Sequence, residues 1–119
     1  MTLNPEFKIY CEFARNKLLE LDRYISKDNP VVSNNISNAI ESINNATKEK
    51  ITDTDRRKHT IDILNYLDSV YNVLINNNSE YIVIISTAIK HINKGIDKQF
   101  NSLNIIDYIR KIDGEKFFR

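Results

Sequence analysis

The stretch NPEFKIYCEFARNKLLELDRYI, residues 4–25, decides the fold class. Its apolar residues recur at three- and four-residue spacing for about five turns, which is the pattern of an amphipathic helix. Asn4 suits the N-cap, Pro5 suits the first helical position, and Glu6 complements the positive helix terminus. The helix should end near Lys27, because the Asp-Asn-Pro triplet that follows breaks helices.

Two further segments downstream repeat the helical pattern. The second helix begins after Pro30 or at Ser33, and its apolar face lies opposite a face rich in Asn and Ser. Asn is a middling helix former, so this helix must rely on packing. The third helix begins at Thr52 or Thr54, with two aspartates in its first turn, and should end at an Asn-Asn-Asn run.

A fourth helix should be capped by Asn78 or Ser79. Its opening Tyr-Ile-Val-Ile-Ile run is β-branched, but the apolar period continues to Ile92 and no second strand is present to pair with it. Gly95 is the expected C-cap. A fifth helix then follows from Ile96 to Gly114, either continuous or restarting near residue 102.

The whole chain, 1–119, is therefore predicted to be a single all-α domain. With two glycines and two prolines among 119 residues, it lacks the turn signals that an all-β fold needs. Short connections between amphipathic helices place consecutive helices side by side in opposite directions. The expected fold is an antiparallel up-and-down bundle of four to five helices.

The sequence carries little that predicts catalysis, a metal or a cofactor. A Gly-rich phosphate loop and a nucleophile elbow are both missing. His59 and His91 are separated by a whole helical hairpin and make a poor metal site. The carboxylates of Asp53 and Asp55 are explained by their place at a helix start. We expect a protein that works by binding and is not an enzyme.

The expected location is the cytoplasm. The single Cys11 cannot form an internal disulfide, it lies on an apolar face, and it should be a buried thiol in a reducing compartment. The first residues show no secretory signal, and the longest apolar run, residues 81–85, is too short to cross a bilayer.

The distribution of charge points to a partner surface, although the net charge of +1 argues against a dedicated nucleic-acid binder. Residues 60–89 contain no Lys or Arg. Just beyond them, Lys90, Lys94 and Lys98 fall on one helical stripe if the helix continues past Gly95. Aromatic residues interleaved with these cations would favour single-stranded nucleic acid, and the local sequence shows none.

A second basic cluster, made of Arg56, Arg57 and Lys58, opens the third helix. Antiparallel packing of helices three and four would bring both clusters to one basic end of the bundle. That end either binds an acidic protein surface, a phosphate or an anionic lipid, or it is an ordinary solvated face. The tail residues Phe117 and Phe118 either fold back onto the bundle or serve as a partner anchor.

The stretch Asn77-Asn78-Ser79-Glu80-Tyr81, which closes one helix and opens an apolar one, resembles bacteriocin immunity proteins of the lactococcin and enterocin type. The similarity extends to the segment 105–109. The resemblance implies a cytosolic antiparallel four-helix bundle that protects the producer cell from its own toxin, with recognition toward the C-terminal half. More generally, the chain looks like the immunity partners of contact-dependent or secreted toxins.

Toxin immunity by stoichiometric occlusion is therefore the leading expectation. Two alternatives stay open: a nucleic-acid-associated helical subunit, like the small backbone subunits of RNA-guided complexes, and a phage or viral inhibitor of a host protein. A homo-oligomer contact through the Tyr81–Ile92 helix also stays open. The expected contacts with the toxin, or with a toxin–receptor complex, are Arg56, Arg57, Lys90, Lys94, Lys98, Phe117 and Phe118.

Overall fold

The computed structural model describes residues 2–25 and 27–100, which are mostly helical. The four helices are α1 (Pro5–Ile25), α2 (Pro30–Ala46), α3 (Asp53–Asn76) and α4 (Ile82–Gln99). These ranges contain no β-strand, and the apolar run at residues 82–85 forms the first turn of α4. The prediction of an all-helical fold is confirmed, as is the choice of helix over strand for that run.

Short polar side chains set the starts of the first three helices. Asn4 Oδ1 accepts the Glu6 backbone N–H at 2.8 Å, so Asn4 caps α1 as predicted. Asn29 Oδ1 accepts from the Val32 N–H at 3.1 Å, and α2 starts at Pro30 and not at Ser33. Thr52 Oγ1 accepts from the Asp55 N–H at 3.0 Å, which decides between the two starts predicted for α3. Each cap satisfies a backbone donor that the helix itself leaves unpaired.

The connection between α3 and α4 is a turn in which Asn78 takes a left-handed backbone, with a φ of 50°. Asn tolerates this region better than most residues, and the Ser79 N–H bonds back to the Leu74 carbonyl at 2.9 Å. Ser79 Oγ accepts from the Tyr81 N–H at 3.1 Å. The predicted cap at Asn78 or Ser79 is wrong, because α4 begins at Ile82 with Tyr81 at the N-cap position and without a side-chain cap.

The prediction that Gly95 ends the fourth helix is wrong. α4 runs through Gly95 to Gln99, and Gly95 does not have a positive φ. A Cβ at this position would lie 3.3 Å from Phe7 Cδ1 and 3.3 Å from Tyr10 Cβ. The glycine therefore lets α1 and α4 approach closely. Residues 96–99 belong to α4 and Phe100 ends it with an extended backbone, so the predicted start of a fifth helix at Ile96 is wrong. Residues 101–114 of that predicted helix lie outside the described residues.

Extensive packing joins α1 to α4 and α2 to α3, and all four helices share one core. The start of α1 meets the end of α4, where the Asn4 N–H donates to Gln99 Oε1 at 2.7 Å. At the opposite end of this pair, the rings of Tyr24 and Tyr81 stack at 5.1 Å. These contacts fix the seam between α1 and α4, on which the candidate site lies.

Candidate functional site

The three lysines of α4 share one exposed stripe. Because α4 continues past Gly95, Lys90, Lys94 and Lys98 follow one another at four-residue intervals on a single helix. All three side chains are exposed. Lys98 Nζ lies 3.4 Å from Glu6 Oε2 in the first turn of α1. The condition on which the predicted stripe depended is thus met, and its last member reaches across to α1.

Arg56 does not belong to this surface. Its side chain is 1% exposed, so the expectation of an exposed cation there is wrong. The guanidinium Nη1 donates to the carbonyls of Ala46 at 2.7 Å and Lys48 at 2.8 Å. Burial lowers the pKa of Arg56, and the charge of Asp53 opposes that shift. Arg56 therefore joins the start of α3 to the end of α2.

The remaining members of the α3 cluster stay at the surface. Arg57 is half-buried and Lys58 is exposed. With Thr54, Ile61 and Asp62 they line a shallow depression of about 350 Å³. Arg56 is held by α2 and its connection, whereas Lys98 is paired with α1. Two members of the predicted basic end are therefore engaged by different helices.

An aromatic cluster lies at the seam of α1 and α4, beside the lysine stripe. The ring of His91 lies 6.3 Å from the ring of Tyr10, nearly parallel to it, and 5.4 Å from the ring of Phe13. The Tyr10 and Phe13 rings meet edge to face at 6.2 Å. The local sequence between the lysines shows no Phe, Tyr or Trp, yet the fold brings the rings of Tyr10 and Phe13 to His91 there.

Sequence reasoning missed this cluster because His91 lies far along the chain from Tyr10 and Phe13. The positions of the apolar residues around the α1 helix gave a usable signal. Ile9 and Phe13 are one turn apart and lie off the buried stripe, and both are 46% exposed. Ile9 and Phe13 are large apolar residues that lie outside the buried core and together form an exposed patch.

The environment of His91 is electropositive and partly desolvated. Burial lowers its pKa, and the charges of Lys94 and Lys17 lower it further. Its Nδ1 is buried and has no hydrogen-bond partner among the described residues. The imidazole is therefore neutral at neutral pH and acts as a packed ring.

His59 and Cys11 are two further residues of types that can bind a metal or react. Within the described residues, 2–25 and 27–100, no group of three His, Cys, Asp or Glu side chains lies close enough together to hold a metal ion. His59 is half-buried on α3. Cys11 is 0% exposed, which confirms the predicted core thiol, and burial raises its pKa to about 12.

Three further expectations concern the tail, oligomers and membranes. Phe117 and Phe118 lie outside the described residues. In the Tyr81–Ile92 segment Ile85 and Ile92 are buried in the core, and Val83 is 71% exposed. None of the described helices has the length and apolar character needed to cross a bilayer.

Comparisons with protein-family models, curated proteins and solved structures find no match to this chain.

Proposed function

We propose that this protein is a non-enzymatic binding protein whose role is immunity to a toxin. It would act by stoichiometric occlusion, covering a toxin or a toxin–receptor complex with one face. The observation that carries the proposal is the lysine stripe of α4, which is exposed along its length. The same helix carries His91, whose ring contacts the exposed Phe13 of α1. A surface that carries both cations and an exposed apolar side chain is suited to a protein partner, because charge steers the encounter and apolar burial supplies affinity.

The fold that we infer for this role is an antiparallel up-and-down bundle of four helices. Ser33 Oγ donates to Asp22 Oδ1 at 2.7 Å, joining the start of α2 to the end of α1. The Arg56 contacts join the start of α3 to the end of α2, and the Asn4–Gln99 contact joins the first helix to the last. Such a bundle presents rigid helix faces, and a rigid face loses little conformational entropy on binding.

The resemblance of Asn77-Asn78-Ser79-Glu80-Tyr81 to bacteriocin immunity proteins supports the same role. That resemblance implies recognition toward the C-terminal half, and the lysine stripe lies there. We retain Arg57, Lys90, Lys94 and Lys98 as contact residues and remove Arg56, because a buried guanidinium cannot reach a partner. Phe117 and Phe118 stay in the proposal as predicted anchors.

The proposed location is the cytoplasm of the cell that the protein protects. Cys11 is fully buried and its pKa is raised, so the thiol is unreactive. A lone cysteine of this kind is suited to a reducing compartment.

The test is survival under toxin challenge. The full chain is co-expressed with the toxins of its own source cell, one at a time, in a sensitive host. We expect rescue from at least one toxin and recovery of a one-to-one complex with it. Lys90→Glu and Lys94→Glu should abolish rescue, whereas Lys50→Glu, at an exposed lysine in the α2–α3 connection, should preserve it. Absence of rescue from every toxin would refute the proposal.

A nucleic-acid-associated subunit is the second function that an observation favours. The rings of Phe13 and His91 lie beside the lysine stripe, and aromatic–cationic surfaces bind single strands. Salt separates the two roles. Binding to a phosphate backbone weakens by orders of magnitude between low and moderate salt, whereas a packed protein interface responds much less.

A further inference from the structure

Two exposed apolar side chains lie one helical turn apart on α1, and the ring of one of them, Phe13, contacts His91 of α4. Ile9 and Phe13 are each 46% exposed. Phe13 is not free to reorient, because its ring contacts the rings of Tyr10 and His91. A large apolar side chain that is already held in place loses little further freedom when a partner covers it. The patch is a preformed anchor point.

Two lysines, one on each helix of the seam, lie near this anchor point. Lys17 and Lys94 both lie close enough to His91 for their charges to lower its pKa. Lys17 Nζ also contacts Glu20 Oε2 at 3.2 Å, and Lys98 contacts Glu6. Both pairs are open to solvent, with side chains 32–58% exposed, and surface ion pairs contribute little net energy. A carboxylate from a partner can therefore join or replace them.

We infer that the face formed by Ile9, Phe13, His91, Lys17 and Lys94 is the docking surface for an acidic protein segment. The segment would place an apolar side chain against Ile9 and Phe13 and direct carboxylates toward the two lysines. This inference rests on the proposed binding role and names the chemistry of the partner. Charge complementarity selects acidic over basic segments, since like charges facing each other across an interface are disfavoured.

The same face is less suited to nucleic acid than to protein. Ile9 is aliphatic and offers no ring on which a base can stack. The Tyr10 and His91 rings already stack on each other, which occupies one face of each ring. The net charge of the whole chain is only +1, without the basic excess of most nucleic-acid binders.

The experiment uses the full chain, labelled with nitrogen-15, and three probes. One probe is a short amphipathic peptide of Leu and Glu, the second replaces every Glu by Lys, and the third is a thymidine oligonucleotide. We expect the acidic peptide alone to shift the amides of Ile9, Phe13 and Lys94. Phe13→Ser and Lys94→Glu should each weaken its binding by about tenfold.

Matched controls lie elsewhere on the molecule. Leu19→Ser changes another exposed apolar residue of α1, 48% exposed, which lines a different depression with Asn16 and Arg23. Lys50→Glu reverses an exposed charge far along the chain from the seam. Both variants should bind the acidic peptide like the parent chain.

Four results would overturn the inference. These are equal binding of the lysine peptide, tighter binding of the oligonucleotide, self-association lost on Phe13→Ser, and no shift with millimolar acidic peptide. The proposed immunity role fails separately, by absence of rescue from toxins. A chain that binds the acidic peptide at this face yet rescues nothing would keep the inference and lose the immunity role.

Discussion

Replacing Arg56 by Met is the change that most sharply separates a structural cation from a binding one. Methionine keeps much of the length of the side chain and removes the charge and the donors. α2 has no basic residue in its own last turn, and its final carbonyls have no partners within the helix. Arg56 supplies donors from α3 to the carbonyls of Ala46 and Lys48. Without it, those groups lose their charged partner.

The expected cost follows from these two contacts. Hydrogen bonds to a charged group contribute about 1.5–3 kcal/mol each, so losing both costs about 3–6 kcal/mol. Part of this is recovered, because a buried guanidinium with Nε and Nη2 unpaired among the described residues is costly to desolvate. We expect Arg56→Met to lower the free energy of unfolding by about 2–4 kcal/mol, a large share of the about 5–15 kcal/mol typical of a domain.

Urea unfolding followed by circular dichroism is the assay. With a slope of about 1.5 kcal/mol per molar urea, the midpoint should fall by about 1–3 M. Arg57→Met and Lys58→Met are matched controls and should stay within about 0.5 kcal/mol of the parent chain. An unchanged midpoint in Arg56→Met would refute the reasoning. So would a fully folded variant that had lost partner binding, because that result would restore Arg56 to the binding surface.

Three further predictions concern stability. The pKa of His91 is lowered in the folded chain, so the unfolded chain takes up a proton first as pH falls. The free energy of unfolding should therefore be highest above pH about 6.5 and decline below it. In urea midpoints measured across pH, His91→Gln should flatten this decline. Thr52→Ala should cost about 1 kcal/mol in urea unfolding through loss of the α3 cap, whereas Thr54→Ala should cost little. Gly95→Val should cost about 2 kcal/mol through overpacking against Phe7 and Tyr10 and lower the thermal midpoint; an unchanged midpoint would contradict the close approach.

The helices were predictable because their signals are local. The caps at Asn4 and Thr52 depend on backbone groups within three residues, and the structure confirms both. The start of α4 was harder to predict. Ser79 had two uses for its hydroxyl, a helix cap or a turn, and the left-handed Asn78 beside it favoured the turn. The local sequence does not show which use the Ser79 hydroxyl takes, because in both it accepts a hydrogen bond from a nearby backbone N–H.

The burial of Arg56 was predictable in part. Arg56, Arg57 and Lys58 all carry a positive charge, so their charge does not predict which of the three side chains is buried. The phase of α3 does so, because Arg56 lies four residues before the buried Thr60 and seven before the buried Ile63. Continuing the apolar stripe of α3 backward would have placed it inside. Its carbonyl partners on α2 follow from tertiary packing, which no local pattern encodes.

Gly95 connects the main error of the sequence prediction to the candidate site. As an expected helix end it would have split the lysine stripe, with Lys98 on another helix. As an interior residue it keeps the stripe continuous and brings α1 so close that Tyr10 packs against it. Tyr10 in turn stacks on His91, whose ring also contacts the exposed ring of Phe13. A side chain at position 95 would therefore displace Tyr10 and the rings that depend on it, so close packing of this seam and presentation of the docking face rest on the same residue.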